Sequence, residues 1–210
     1  MSYAVNELFL TLQGEGVQAG RRAVFLRFAG CNLWSGREGD RATAICRFCD
    51  TDFVGTGGDG GGRFADAGTL ADAVAAMWGA GERLRYVVIT GGEPMLQLDV
   101  ALIDALHAAG FEVGVESNGT LSAVEGIDWL CISPKAGSTV VQTRGDELKL
   151  VWPQSGVDLD QIEQWQFAHY LVQPMDGIDR EAAREAAIAL VMERPHWRLT
   201  TQAHKLLGLR

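Results

Sequence analysis

Three cysteines, Cys31, Cys46 and Cys49, fall in one run, CNLWSGREGDRATAICRFC. Thiolate is a soft donor suited to zinc or iron–sulfur clusters, and Cys-x-x-Cys is a natural bite for a metal. The set stops at three, with no histidine nearby, and the one other cysteine, Cys131, sits in the apolar run WLCI, where it reads as core. A closed zinc site takes four protein ligands, and a cubane cluster usually takes four thiolates. Three thiolates on a four-iron cluster leave one iron open to a small molecule, the condition for a cluster that reacts rather than only carrying electrons. A non-catalytic protein holding zinc is the alternative, and it needs a fourth ligand from elsewhere in the chain.

Other polar residues stand directly after apolar runs: Thr90-Gly91-Gly92-Glu93-Pro94, Glu116-Ser117-Asn118-Gly119-Thr120, Ser133-Pro134-Lys135, Gln173-Pro174-Met175-Asp176 and Gln202-x-His204-Lys205. In parallel α/β folds ligands gather where the carboxyl ends of strands open, so these clusters on one rim describe a site. Arg27 interrupts the strand-like run AVFLRF. A guanidinium there needs an anion, either a substrate carboxylate or a structural partner such as Glu7 or Glu15.

The elements that must position these residues follow from periodicity. Short apolar runs at 23–28, 86–89, 112–115, 129–132, 148–151 and 170–172 read as buried strands. Amphipathic helices are expected at 69–78, 98–109, 159–165 and 181–193, with Thr69 and Asp179 as N-caps and Gly110 as a stop. Strand and helix in alternation predict α/β architecture with a parallel sheet, open or curled toward a barrel. The stretch GTGGDGGG, from Gly55 to Gly62, reads as a flexible surface loop reaching to about residue 63; no Gly-Lys-Ser/Thr follows it, so it is not a phosphate loop.

With 210 residues, 47% hydrophobic and 21% charged, the chain suits a single domain with a substantial core. No apolar stretch nears the ~20 residues of a membrane helix. MSYAVNELF lacks the basic start and apolar run of a signal peptide, so the expected compartment is the reducing cytoplasm. A net charge of −9 argues against a nucleic-acid surface.

The cysteine set, Gly-Gly-Glu-Pro after one buried strand and Glu-Ser-Asn-Gly after the next resemble the radical S-adenosylmethionine enzymes. Four features narrow the resemblance to the 7-carboxy-7-deazaguanine synthases, along nearly the whole chain. They are Leu12-Gln13-Gly14-Glu15-Gly16, the fourteen-residue gap before Cys46, Asp50-Thr51 after Cys49, and the Gln202-x-His204-Lys205 ending. Most radical enzymes of this kind carry Cys-x3-Cys-x2-Cys instead. The resemblance implies an incomplete, distorted TIM-like barrel of about six strands, with a cluster-binding loop at about 29–55.

It also implies chemistry. Cys31, Cys46 and Cys49 hold a 4Fe–4S cluster whose open iron is chelated by S-adenosylmethionine, and reductive cleavage releases a 5′-deoxyadenosyl radical. The substrate is 6-carboxy-5,6,7,8-tetrahydropterin, which loses hydrogen from C6, contracts its ring and releases ammonia, while S-adenosylmethionine is recovered. The product feeds 7-deazapurine and queuosine synthesis. The implied cofactor surface comprises Phe48, Cys49 and Asp50 against adenine, Gly92 at the methionyl amino group, and Glu116 and Asn118 at the ribose. Ser133, Pro134, Lys135, Gln173, Pro174, Met175 and Asp176 complete it. The pterin falls to Leu12, Gln13, Gly14, Arg27 and Thr90, with Glu15 toward its guanidine-like edge, then His204 and the terminal carboxylate of Arg210. Relatives often end on proline, so Arg210 departs from the pattern. Thr51 is the implied Mg2+ ligand, although hard-cation chemistry alone would choose Asp50 or Asp52. The implied partners are a second copy in a homodimer and a flavodoxin-type electron donor, with no nucleic acid and no membrane. A radical activating enzyme acting on a partner protein is the nearest rival.

Overall fold

The computed structural model describes residues 2–81 and 83–209. Nine strands form one sheet: β1 (Tyr3–Leu12), β2 (Arg22–Phe28), β3 (Gly62–Phe64), β4 (Tyr86–Gly91), β5 (Glu112–Ser117), β6 (Trp129–Ile132), β7 (Arg144–Trp152), β8 (Gln166–Pro174) and β9 (Trp197–Leu199), in the order β3-β1-β2-β4-β5-β6-β7-β8-β9. From β2 to β9 every pairing is parallel, whereas β1 runs antiparallel to both β2 and β3. All six expected strands are present, and three were not anticipated. In β1 the polar Asn6 and Glu7 interrupt the apolar pattern, and β3 and β9 are only three residues each.

Strand periodicity of two divides the sheet into faces. Val24, Leu26 and Phe28 of β2, Val87 and Ile89 of β4, and Val113 and Val115 of β5 pack with α1 (Ala67–Trp78) and α2 (Val100–Ala108) in one core. Leu148 and Leu150 of β7 and Tyr170 and Val172 of β8 pack with α4 (Arg180–Glu193) and Ile162 of the short α3 (Leu159–Ile162) in a second. Each fully buried large aliphatic side chain contributes roughly 1.5–3 kcal/mol, so these layers dominate the stability. The alternate residues, Arg27, Thr90, Glu116, Lys149 and Gln173, are thereby delivered to the opposite face.

The helices lie close to their expected places. Asp66, not Thr69, caps α1: its side chain accepts from the Thr69 amide at 2.8 Å, so Thr69 is the capped residue. Asp179 stands at the N-cap of α4 without a side-chain cap bond. Gly110 follows α2 at φ +78°, a left-handed stop that glycine supplies without strain. The helix expected over 159–165 ends at Ile162, because Gln166 already begins β8.

The sheet is not closed by pairing of its outer strands. Instead the segment after β1 crosses to the far side: Gly14 O accepts from Ala203 N at 2.8 Å, at the start of α5 (Ala203–Leu207), and Gly16 N donates to Thr200 Oγ1 at 2.9 Å. Residues 55–62, read as a flexible loop, are laid along β1 through Gly58 N to Asn6 O and Leu8 N to Asp59 O. A Cβ at Gly58 or Gly61 would collide with Asn6 O. There glycine serves close backbone approach. Among the described residues no helix is long and apolar enough to cross a membrane.

Candidate active site

The polar face of the sheet opens into a cavity of about 410 Å³. Three neighbouring strands set one wall. Arg27 stands beside Glu7 in the β1–β2 register and beside Thr90 in the β2–β4 register. Arg27 Nε donates to Glu7 Oε1 at 2.7 Å, so of the two structural partners named from the sequence, Glu7 is the one it meets through Nε. Arg27 and Thr90 both line the cavity.

Cys31, Cys46 and Cys49 also line the cavity. The long gap between the first two is closed locally: Ile45 N and Cys46 N both donate to Leu33 O, returning the chain to within two residues of Cys31. Arg41, in the excursion, donates to the carbonyls of Arg47 and Cys49 at 3.0 Å each, and its guanidinium lies 4.0 Å from the Trp34 ring centre. Leu33 N points at Cys31 Sγ at 3.4 Å. A hydrogen bond from Cys46 draws the Cys49 thiol down to about 6, while that bond and burial hold Cys46 protonated; burial raises Cys31. Among the described residues no three His, Cys, Asp or Glu side chains converge on a point where one metal ion could be held. A four-iron cluster makes no such demand, since its thiolates bind different irons.

The cofactor surface proposed from the sequence also gathers here. Gly92 has no room for a side chain: a Cβ would strike Gly30 O and Cys31 Cβ, so the β4 turn abuts the cysteine loop directly. Glu93, fully buried, ties that turn to β5 by accepting from Met95 N, Ser117 Oγ and Asn118 N. Lys135 Nζ is anchored by Ser133 O and Oγ at 2.7 Å and lies 6.0 Å from the Phe48 ring centre; burial pulls its ammonium below the ordinary value. Gln173 Oε1 is buried without a hydrogen-bond partner, although Gln173 lines the cavity. A buried orphan acceptor calls for a donor from a ligand. The soft donor set, the side-chain-free approach at Gly92 and the orphan at Gln173 all fit a thiolate-bound cluster with an aminoacyl nucleoside beside it.

Phe48, Asp50, Thr51, Pro174, Met175 and Asp176 line the cavity, and Pro134 and Gly14 do not. Gly14 instead gives room to His204, whose ring occupies the place of a Cβ. Asn118 Oδ1 accepts from Thr120 and its Nδ2 donates to Asn32, binding the β5 end to the cysteine loop. The Glu116 carboxylate faces Gln13 and Lys149 rather than Asn118. Leu12, Gln13 and Glu15 line the cavity with His204, and Arg210 lies outside the described residues.

Four residues take parts that the sequence reading did not assign: Glu93, Gln202 and Lys205, named there only within rim clusters, and Lys149. Glu93 reads in sequence as part of a turn. Gln202 donates to Glu15 Oε1 at 2.9 Å, and Lys205 Nζ bridges Asp50 at 2.6 Å and Asp176 at 2.7 Å. Lys149 is only 4% exposed and donates to Glu15 Oε2 at 2.5 Å and Glu116 Oε2 at 3.2 Å. Burial alone would raise the Glu15 carboxyl, but the Lys149 ammonium and the bonds from Lys149 and Gln202 hold it at about 2. The signal for Lys149 was present, a lone cation inside the apolar run LKLV.

Comparison with known proteins agrees with this geometry. The Radical SAM superfamily model matches residues 39–144. The chain is 60% identical over 210 residues to the 7-carboxy-7-deazaguanine synthase of Bradyrhizobium diazoefficiens, covering 100% of each. It is 59% identical to that of Bordetella pertussis, again covering 100% of each. The crystal structure of QueE from Escherichia coli shares the fold at a TM-score of 0.69 and 24% identity, over 97% of this chain and 95% of that one. The partial barrel expected from the sequence is thereby met, and superfamily membership implies a 4Fe–4S cluster and S-adenosylmethionine. The chain belongs to the 7-carboxy-7-deazaguanine synthase family of the radical SAM superfamily.

Proposed function

We propose that the chain converts 6-carboxy-5,6,7,8-tetrahydropterin to 7-carboxy-7-deazaguanine in 7-deazapurine and queuosine synthesis, as a carbon–nitrogen lyase. The observation that carries this reading is a single cavity lined by three thiols together with Arg27, Thr90, Gln13, Glu15 and His204. Substrate and product differ by ammonia alone, so the reaction involves no net oxidation, and a hydrogen removed must be returned. Bound at Cys31, Cys46 and Cys49, the cluster with S-adenosylmethionine supplies a carbon-centred radical able to take that hydrogen.

The chain's own groups bind and orient. Arg27, steadied by Glu7, offers its guanidinium to the substrate carboxylate. Glu15 and Glu116 accept from the N–H edge of the heterocycle, and His204 is held against Gly14 beside them. Lys135 offers a cation to the methionyl carboxylate, and Gln173 Oε1 accepts from the same cofactor. The Thr51 hydroxyl is the proposed Mg2+ ligand, with waters and substrate oxygens completing a hard-oxygen shell. A flavodoxin-type donor and a homodimer complete the proposal, in the cytoplasm.

The test is turnover. Anaerobically reconstituted protein with dithionite, S-adenosylmethionine and the carboxytetrahydropterin should yield the deazapurine and ammonia. Formation of 5′-deoxyadenosine without deazapurine would reject this reading in favour of an activating enzyme. One zinc without sulfide, found on metal analysis, would reject both.

A further inference from the structure

Deep in the cavity four residues close a ring of hydrogen bonds. Gln13 Nε2 donates to Glu116 Oε1 at 2.9 Å, Lys149 Nζ donates to Glu116 Oε2 and Glu15 Oε2, and Glu15 N donates back to Gln13 Oε1 at 3.1 Å. Gln202 braces Glu15 from outside the ring. Gln13, Glu15 and Glu116 line both the main cavity and a second one of about 10 Å³, whose other walls include Cys131 and Glu147. The ring therefore divides the two spaces. Glu147 is buried, accepts from Val17 N at 2.9 Å and meets the Cys131 thiol at 3.6 Å.

This arrangement binds two carboxylates, Glu15 and Glu116, to one ammonium, and Lys149 is the only cation bonded to either among the described residues. Two carboxylates sharing a site repel each other, and one takes up a proton unless a cation separates them. A protonated carboxyl turns one acceptor into a donor. We propose that Lys149 is the positioning residue that fixes Glu15 and Glu116 as a matched pair of acceptors, so that the pocket selects a heterocycle with adjacent N–H donors. The inference rests on the reading above, that a 2-amino-4-oxo ring binds here. Lys149 acts through the two glutamates and takes no part in the hydrogen transfer. Without it Glu15 and Glu116 lose their common anchor, and the acceptor face is lost while Arg27 and the cysteine loop are untouched.

The experiment compares wild type with Lys149→Gln, Lys149→Met and Lys149→Arg, all reconstituted anaerobically and checked by iron content and circular dichroism. Binding of carboxytetrahydropterin and of its 2-desamino analogue is measured by calorimetry alongside turnover. A site built to hydrogen-bond a donor discriminates strongly against a ligand lacking it. Wild type should therefore prefer the amino form at least tenfold, and the Gln and Met variants should reduce that preference to within about threefold. In both, the KM for the pterin should rise about tenfold or more, the KM for S-adenosylmethionine should stay within twofold, and Arg should restore much of the discrimination. Should Lys149→Met not fold, Lys149→Gln decides alone. If neither folds, the wild type decides: equal affinity for the two ligands sinks the inference, and a tenfold preference supports it. An undiminished preference in either folded variant, or an equal rise of both KM values, also overturns it. A wild type that makes no deazapurine instead overturns the proposed function, which keeps the two failures apart.

Discussion

At the scale of single residues, the site depends on charged groups that are buried but answered. Glu93 accepts three hydrogen bonds with no exposure at all, and burial raises its carboxyl above the ordinary range. Glu93→Ala leaves those donors unmet and should lower stability by about 1–3 kcal/mol, read by thermal unfolding of the metal-free protein; Glu93→Gln should lose less. Glu15 carries the opposite shift, from an ordinary 4.5 down to about 2. A depressed carboxyl stabilises the fold fully above its unfolded value, and that contribution drains away as pH falls toward the folded one. The unfolding midpoint of Glu15→Gln should thus trail wild type at pH 7, and the gap should close between about pH 4.5 and pH 2. A constant gap would contradict the ion pair. These residues also show what a sequence discloses. The reasoning that singled out Arg27 in AVFLRF applies equally to Lys149 in LKLV, yet Lys149 was absorbed into an apolar strand. What could not be read is its pair of partners, because Glu15 and Glu116 lie 134 and 33 residues from Lys149 along the chain.

At the scale of elements, loops from β2 and β4 meet so closely that only glycine fits between them. Gly92→Ala drives a methyl into Gly30 O and Cys31 Cβ, and the cysteine loop must move. The expected outcome is a weakened spectroscopic response of the reconstituted cluster to S-adenosylmethionine, with circular dichroism unchanged. The insertion 32–45 behaves as a brace rather than a free excursion. Arg41→Ala removes two carbonyl bonds and a contact with Trp34, roughly 1–2 kcal/mol of local stability. Hydrogen exchange at 45–50 should quicken and iron should be lost to a chelator sooner. The six core strands were legible because parallel strands buried on the helix-covered side read as compact apolar runs. β1 was not, since Asn6 and Glu7 sit among its apolar residues and Asn6 donates to the glycine-rich segment. That segment, in turn, misled because glycine marks close approach as readily as freedom.

At the scale of the whole molecule, the barrel's seam is made by a loop and a short terminal helix. α5 buries no residue of its own, yet Ala203, Gln202 and Lys205 reach Gly14, Glu15, Asp50 and Asp176. A chain ending at Thr201 should keep its circular dichroism and most of its thermal stability but lose pterin affinity at least tenfold, measured by calorimetry. Retained affinity would show that the terminal segment is ornamental. The seam also sets an order of events during synthesis. Residues 12–16 leave the ribosome well before 202–205, so a nascent chain can lay down its sheet and helices while its binding bowl stays open on one side. Competence arrives only once 202–205 have docked, and a protease that cuts just before them leaves a folded but vacant shell.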